Sequence, residues 1–304
     1  MMNTLHRLIK KVWKSKPVVE GAGVHLRRIF GFHELPLLDP FLLMDDFRSE
    51  NPAEYKAGFP WHPHRGIETI TYVLDGDVEH GDSMGNKGNI SAGDVQWMTA
   101  GSGIIHQEMP KGNRTGEMLG FQLWANLPTA SKMMAPRYQE IKAQSIPLVT
   151  TQDGAVIKII CGAVNGIQGP ARDIVAAPEY LDISLAAGKT YIHPVKEGYT
   201  VFAYVIEGEA HFDEQREPYS LNAAGENYFD LKSPCSFGDG SFILYEREGL
   251  SIQITTDQHP VRFLLISGKP LNEPIAWHGP IVMNTREELQ QAFQEYQDGT
   301  FIKR

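Results

Sequence analysis

Three imidazoles and a carboxylate, set in two short triplets, are the residues of this chain best suited to chemistry. His62-Pro63-His64 and His106-Gln107-Glu108 each place two potential donors two positions apart. Side chains alternate faces along an extended strand, so His62 and His64 look to one side, as do His106 and Glu108. Two adjacent strands that turn these pairs toward each other would bring four donors to one point. Such a set suits a divalent first-row metal and leaves coordination positions open. It contains no thiolate, which argues against a closed tetrahedral zinc site. The other histidines (His6, His25, His33, His80, His193, His211, His259, His278) lack this pairing and are expected as ordinary surface or core residues.

The surrounding pattern is one of short strands and glycine turns. The run Thr69 to Asp75 ends at Gly76, and Ala92-Gly93-Asp94 forms the next turn before Thr99 to His106. The chain then repeats itself. Tyr72-Val73-Leu74-Asp75-Gly76-Asp77 recurs 132 residues later as Tyr204-Val205-Ile206-Glu207-Gly208-Glu209, and Ala224-Gly225-Glu226 stands at the same offset from Ala92-Gly93-Asp94. A repeat of this length is a duplicated domain, not a solenoid module. Regularly spaced strands of this kind point to an all-β barrel or sandwich in each half. The boundary is expected near residues 136–146, giving a metal-binding half at 1–140 and a second half at 141–304. Carried across the offset, the four donors land on Pro194, Lys196, Gly238 and Gly240, so the second half should be metal-free. His193 is one place out of register, and Ser233 to Ser241 reads as a local insertion. Helix is expected at the C-terminus, where Thr285-Arg286-Glu287-Glu288 makes a capping box and Leu289, Ala292, Phe293 and Tyr296 form an apolar stripe.

These motifs resemble the two-part signature of the cupin superfamily, and within it most closely the pirin family. His-Pro-His-Arg-Gly at residues 62–66, Thr99 to Pro110, Asn126-Leu127-Pro128 through Pro136-Arg137-Tyr138, Leu37 to Phe41, Pro270 to Pro274 and Gly279 to Thr285 all carry the likeness. The resemblance spans nearly the whole chain. It implies two tandem cupin barrels, jelly-roll-like and all-β, with a short C-terminal helix. Most cupins take a carboxylate ligand from the position of Glu68, whereas pirin-like proteins use the Glu two residues after the second-motif His, here Glu108. Both are present. Strand alternation favours Glu108 beside His106, but Glu68 shares the His64 face if that strand is regular. The expected set is therefore His62, His64, His106 and Glu108, with Glu68 behind it, orienting an imidazole. Fe(II) fits both the donors and the family, with Mn, Ni, Co, Cu and Zn as alternatives.

Bulk properties narrow the partners. The 304 residues, 42% hydrophobic and 21% charged, are those of a soluble globular protein, and the net charge of −9 disfavours nucleic acid and anionic membranes. No apolar run nears the ~20 residues that span a bilayer. Arg7, Lys10, Lys11, Lys14 and Lys16 alternate with apolar residues, as on a strand with a basic outer face rather than a targeting segment. Cys161 and Cys235 are expected as isolated thiols in a cytoplasmic protein.

Two functions follow from the resemblance. One is a quercetin 2,3-dioxygenase-type enzyme that opens a flavonol or similar chelating enol with O2, Glu108 accepting the substrate's hydroxyl proton. Phe59, Trp61, Trp97 and Met98 are candidates for an apolar mouth. The other is a non-enzymatic, iron-dependent redox regulator with a protein partner. A monomer is expected in either case.

Overall fold

The computed structural model describes residues 6–176, 178–214 and 235–303. Two compact units emerge. The N-terminal unit comprises 16–145, 173–176 and 271–304, and the C-terminal unit comprises 1–15, 146–172 and 177–270.

The N-terminal unit is built from two antiparallel sheets. The larger runs in the order Arg137–Ile141, Val95–Thr99, Ile67–Asp75, Leu119–Asn126, Phe41–Asp46, Val24–Phe30, Lys16–Glu20. The smaller runs Phe59–His64, Ile104–Pro110, Val78–Asp82, Lys87–Ile90. Facing sheets of this kind bury alternate residues between them. Val24, Leu26, Val73, Val78, Ile90 and Met118 form one such cluster. The strand Ile104–Pro110 shows the alternation cleanly, with Ile104, His106, Glu108 and Pro110 buried and the residues between them partly exposed.

The C-terminal unit repeats this plan. Its eight-stranded sheet centres on Thr200–Ala210, flanked by Ser241–Tyr245 and Val261–Gly268, and the first strand of the chain, Ile9–Lys14, adds to its edge. A pair of strands, Thr190–Pro194 and Ser251–Thr255, takes the place of the sheet that carries His62 and His106. The fixed offset fails here. Gly238 and Gly240 are not opposite Pro194; the residues opposite Pro194, His193 and Tyr191 are Ser251, Ile252 and Ile254. The stretch expected as an insertion lies between these two strands in the sequence. Part of that insertion, from Ser233, and the turn Ala224-Gly225-Glu226 lie outside the described residues.

The chain's ends cross between halves, which differs from a simple division at 140. Residues 6–15 join the C-terminal unit because Ile9–Lys14 hydrogen-bonds to Ser241–Tyr245. The terminal helix, Arg286–Gln297, belongs with the N-terminal unit, not the second half. Its capping box is formed as expected, Thr285 Oγ1 accepting from the Glu288 amide while Glu288 accepts from the Thr285 amide. Ala292 is buried with Ile281, Met283 and Phe301, and Leu289 and Phe293 pack against them.

Candidate metal centre

The strands Phe59–His64 and Ile104–Pro110 are hydrogen-bonded neighbours, with His106 directly opposite His62 and Ile104 opposite His64. The two triplets therefore meet as their spacing predicts. The ligand nitrogens of His62, His64 and His106 all lie within 4.8 Å of one another. Their rings stand 4.4 to 5.0 Å apart by centroid.

Hydrogen bonds fix which nitrogens face inward. His62 Nδ1 is 2.8 Å from the Pro60 carbonyl and His64 Nδ1 is 3.0 Å from the Pro280 carbonyl. A carbonyl only accepts, so each Nδ1 carries its ring's proton, and each Nε2 of a neutral imidazole presents a lone pair. Those two Nε2 atoms are 3.1 Å apart. Lone pair against lone pair is repulsive, and a cation between them removes the conflict. His106 adds to this, since both of its ring nitrogens are buried with no hydrogen-bond partner. Buried polar atoms are nearly always satisfied, so an orphaned imidazole beside two converging lone pairs marks a metal-binding geometry. Burial holds His106 well below the ordinary imidazole pKa, reinforced by His64, His62 and His80. Burial and then the neighbouring His62 do the same for His64. Neutral rings need no proton displaced before a metal binds. The residues present fit a divalent cation.

The two carboxylates separate. Glu108 is buried on the His106 strand, but the pairing register slips between His106 and Glu108, so Glu108 stands opposite Phe59. Its oxygens accept from Thr71 Oγ1 at 2.8 Å and Gln122 Nε2 at 2.8 Å, and it is not in the 4.8 Å grouping. Glu68 is elsewhere. Gly66 adopts φ +79, which ends the His64 strand and starts another in the larger sheet. The condition that placed Glu68 on the His64 face, a regular strand, does not hold. Glu68 accepts from Thr99 Oγ1 at 2.8 Å and hydrogen-bonds no imidazole.

A cavity of about 730 Å³ opens over the cluster, and both His62 and His64 line it. Trp124, Trp277, Phe32 and Phe59 give it aromatic walls. Of the four residues proposed for this mouth, Phe59 is there. Trp61, next to His62 and therefore turned the other way, is 51% exposed and not part of the lining. Trp97 and Met98 are fully buried. Sequence reasoning missed Trp124, two positions from Gln122 on one strand face, and Trp277, which comes from 153 residues downstream of it and carried no local signal. Trp124 Nε1 donates to Gln122 Oε1 at 3.1 Å, which links the wall to Glu108 through the Gln122 amide. At the far side of the cavity, Arg28 makes a two-pronged ion pair with Asp45, both contacts at 2.9 Å, and reaches Glu20 at 2.8 Å.

His80 is a core residue, as expected of the unpaired histidines. It is buried behind His106, ring centroids 5.6 Å apart, stacked on Tyr138 and hydrogen-bonded to Gln96. In the C-terminal unit, His193 is a buried histidine between Tyr191 Oη at 2.8 Å and Glu179 Oε2 at 2.9 Å. Among the described residues, the three imidazoles of the N-terminal unit are the one group of three or more such donors at this spacing.

Comparison with known proteins places these features. The pirin family profile matches residues 23–125, and the profile of the pirin C-terminal cupin domain matches 180–302. The chain is 40% identical over 296 residues to a pirin-like protein of Caulobacter vibrioides, covering 97% of this chain and 99% of that one. It is 38% identical over 292 residues to human pirin, covering 93% of this chain and 90% of that one. Among solved structures, quercetin 2,3-dioxygenase from Acinetobacter baumannii superposes with a TM-score of 0.83 at 30% identity, covering 98% of this chain and 99% of that one.

Proposed function

The chain belongs to the pirin family, and from that premise we propose that its N-terminal cupin is a metal-dependent dioxygenase acting on a flavonol or a similar planar enol that chelates through two oxygens. The observation that carries the reading is the pair of Nε2 lone pairs 3.1 Å apart beneath an aromatic-walled cavity. Likeness to a bacterial quercetin 2,3-dioxygenase supports the choice of reaction.

In this reading His62, His64, His106 and Glu108 hold one divalent metal, Fe(II) in the first instance and Mn, Ni, Co, Cu or Zn otherwise. When bound, the metal supplies Lewis acidity that lowers the pKa of the substrate's hydroxyl. The protein's own residues do the rest. Trp124 and Trp277, ring centroids 6.0 Å apart, take the planar body of the substrate against the cavity wall. Glu108 accepts the hydroxyl proton as general base. Gln122 and Thr71, which hold its two oxygens, orient that carboxylate. The Pro60 and Pro280 carbonyls, by holding the Nδ1 protons of His62 and His64, turn each ring's Nε2 inward. A monomer in the cytoplasm is part of the same reading. No helix is long and apolar enough to cross a membrane among the described residues.

The test is reconstitution with Fe(II) without oxygen, then quercetin with O2. Loss of flavonol absorbance with release of carbon monoxide supports the dioxygenase. A loaded protein that turns over neither quercetin nor a related enol sinks it and leaves the redox regulator, for which no observation in the structure argues on its own.

A further inference from the structure

Arg65 follows His64 directly, is 2% exposed, and directs its guanidinium at two separate segments of the N-terminal unit. Nε donates to the Ser102 carbonyl at 2.7 Å, in the turn that opens the His106 strand. One terminal nitrogen donates to the Phe301 carbonyl at 2.9 Å and pairs with Glu295 at 2.8 Å. The guanidinium carbon lies 4.2 Å from the centre of the Phe301 ring. Both Glu295 and Phe301 belong to the C-terminal arm, residues 271–304.

The arm reaches the same strand end by other routes. His64 Nδ1 donates to Pro280, the Val282 amide donates to the Arg65 carbonyl at 3.1 Å, and Lys132 Nζ bridges the Gly66 and Val282 carbonyls at 2.9 and 3.0 Å. Three consecutive residues, His64, Arg65 and Gly66, are thus held by a segment more than 200 positions away. His62, by contrast, is tethered locally to Pro60. A buried cation is costly to desolvate, and an apolar plug would fill this space at less expense. What an apolar residue cannot do is aim rigid donors at carbonyls on two different segments.

We propose that Arg65 is a positioning residue of the metal centre, fixing with the C-terminal arm where His64 and His106 stand relative to each other. The inference rests on the three-imidazole reading of the site. Arg65 touches no ligand nitrogen. It acts by tying the end of one ligand strand to the start of the other through Ser102. The arm, whose Trp277 also walls the cavity, is by this account part of the site and not a terminal appendage.

The experiment uses the full chain, with Ni(II) as probe in chelator competition and Cu(II) electron paramagnetic resonance to count nitrogen donors. Arg65→Gln should weaken Ni(II) binding by about tenfold or more, the scale of lost supporting hydrogen bonds around metal ligands, and should reduce or broaden the nitrogen coupling. Arg65→Lys keeps the charge near Glu295 but cannot reach both carbonyls, so it should fall between wild type and Arg65→Gln. Ile90→Val trims the core of the N-terminal unit away from the arm, Arg65 and the cavity; it should lower the melting temperature and leave affinity unchanged. Ni(II) affinity of Arg65→Gln within twofold of wild type, with an unaltered resonance, overturns the proposal. So does an Ile90→Val variant that loses affinity as steeply, because the effect would then be general destabilisation. If Arg65→Gln does not fold, Glu295→Gln takes its place, with a several-fold loss expected and no loss overturning. Wild-type protein that binds no Ni(II), or keeps it after His62→Ala with His64→Ala, instead refutes the metal reading beneath it.

Discussion

At the scale of single residues, two buried carboxylates stand in different surroundings. Glu108 sits on the His106 strand with its oxygens held by Thr71 and Gln122, while Glu68 hangs from Thr99 in the other sheet. Glu108→Gln should therefore weaken metal binding by about 10- to 100-fold and remove turnover, since an amide oxygen is a poorer donor and takes no proton near neutrality. Glu68→Gln should keep the metal; loss of metal there with retention in Glu108→Gln would return the site to the arrangement common among other cupins. Titration calorimetry on both variants separates the cases. The indole of Trp277 makes a different prediction. Trp277→Ala removes one cavity wall but no donor, so KM for a planar substrate should rise about tenfold, roughly 1.4 kcal/mol of binding, with kcat changed less. A fall in kcat at constant KM would place Trp277 in the chemical step.

At the scale of elements, a turn and an arm adjoin the imidazole cluster. Gly66 must adopt a positive φ to send the chain from one sheet to the other, and a Cβ there would collide with the Val282 carbonyl. Gly66→Ala should cost about 2 kcal/mol or more, read as a lowered melting temperature, because strain and collision add. The arm carries its own pH signature. Burial alone would raise the Glu295 carboxyl, but hydrogen bonds from Lys303, Arg65 and Gln291, with the charge of Arg65, take it down to about 2. A carboxyl lower in the folded than in the unfolded chain stabilises the fold above its unfolded value near 4.5, and that contribution is lost as pH falls toward 2. Acid titration of wild type against Glu295→Gln should show wild type losing stability faster between those values. Parallel curves would remove Glu295 as the latch of the arm.

At the scale of the molecule, there are two like units, and among the described residues only the N-terminal one brings three imidazoles together. The strands that present imidazoles in the N-terminal unit have counterparts at Thr190–Pro194 and Ser251–Thr255, where the facing residues are Tyr191, His193, Ile252 and Ile254. Elemental analysis should give about one equivalent of metal per chain. Free metal at 100 times its dissociation constant should raise stability by about 2.7 kcal/mol, and that rise should vanish in His106→Ala. Two equivalents would show a second site in the other barrel.

Local physics was legible in the sequence wherever a period or a spacing expresses it. Alternation along a strand foretold that His62 with His64, and His106 with Glu108, would share faces, and the 132-residue repeat foretold two like halves. The terminal capping box was equally plain, because all its atoms lie within one turn. The family followed from motifs quoted residue by residue. What alternation could not supply was any event that interrupts it. The turn at Gly66 took Glu68 into another sheet, an extra residue in the Phe59–His64 strand set Phe59 opposite Glu108, and Ser251–Thr255 came to stand opposite Thr190–Pro194. Nor could local spacing reveal partners far apart in sequence. Trp124 with Trp277, His64 with Pro280, and Arg65 with Phe301 and Glu295 meet only because the C-terminal arm folds back onto the N-terminal unit. The sequence alone placed the imidazoles and the strands that carry them; tertiary packing decided the His64 tautomer, the aromatic cavity walls and the burial of Arg65, since His64 with Pro280, Trp124 with Trp277 and Arg65 with Phe301 are contacts closed across more than a hundred residues.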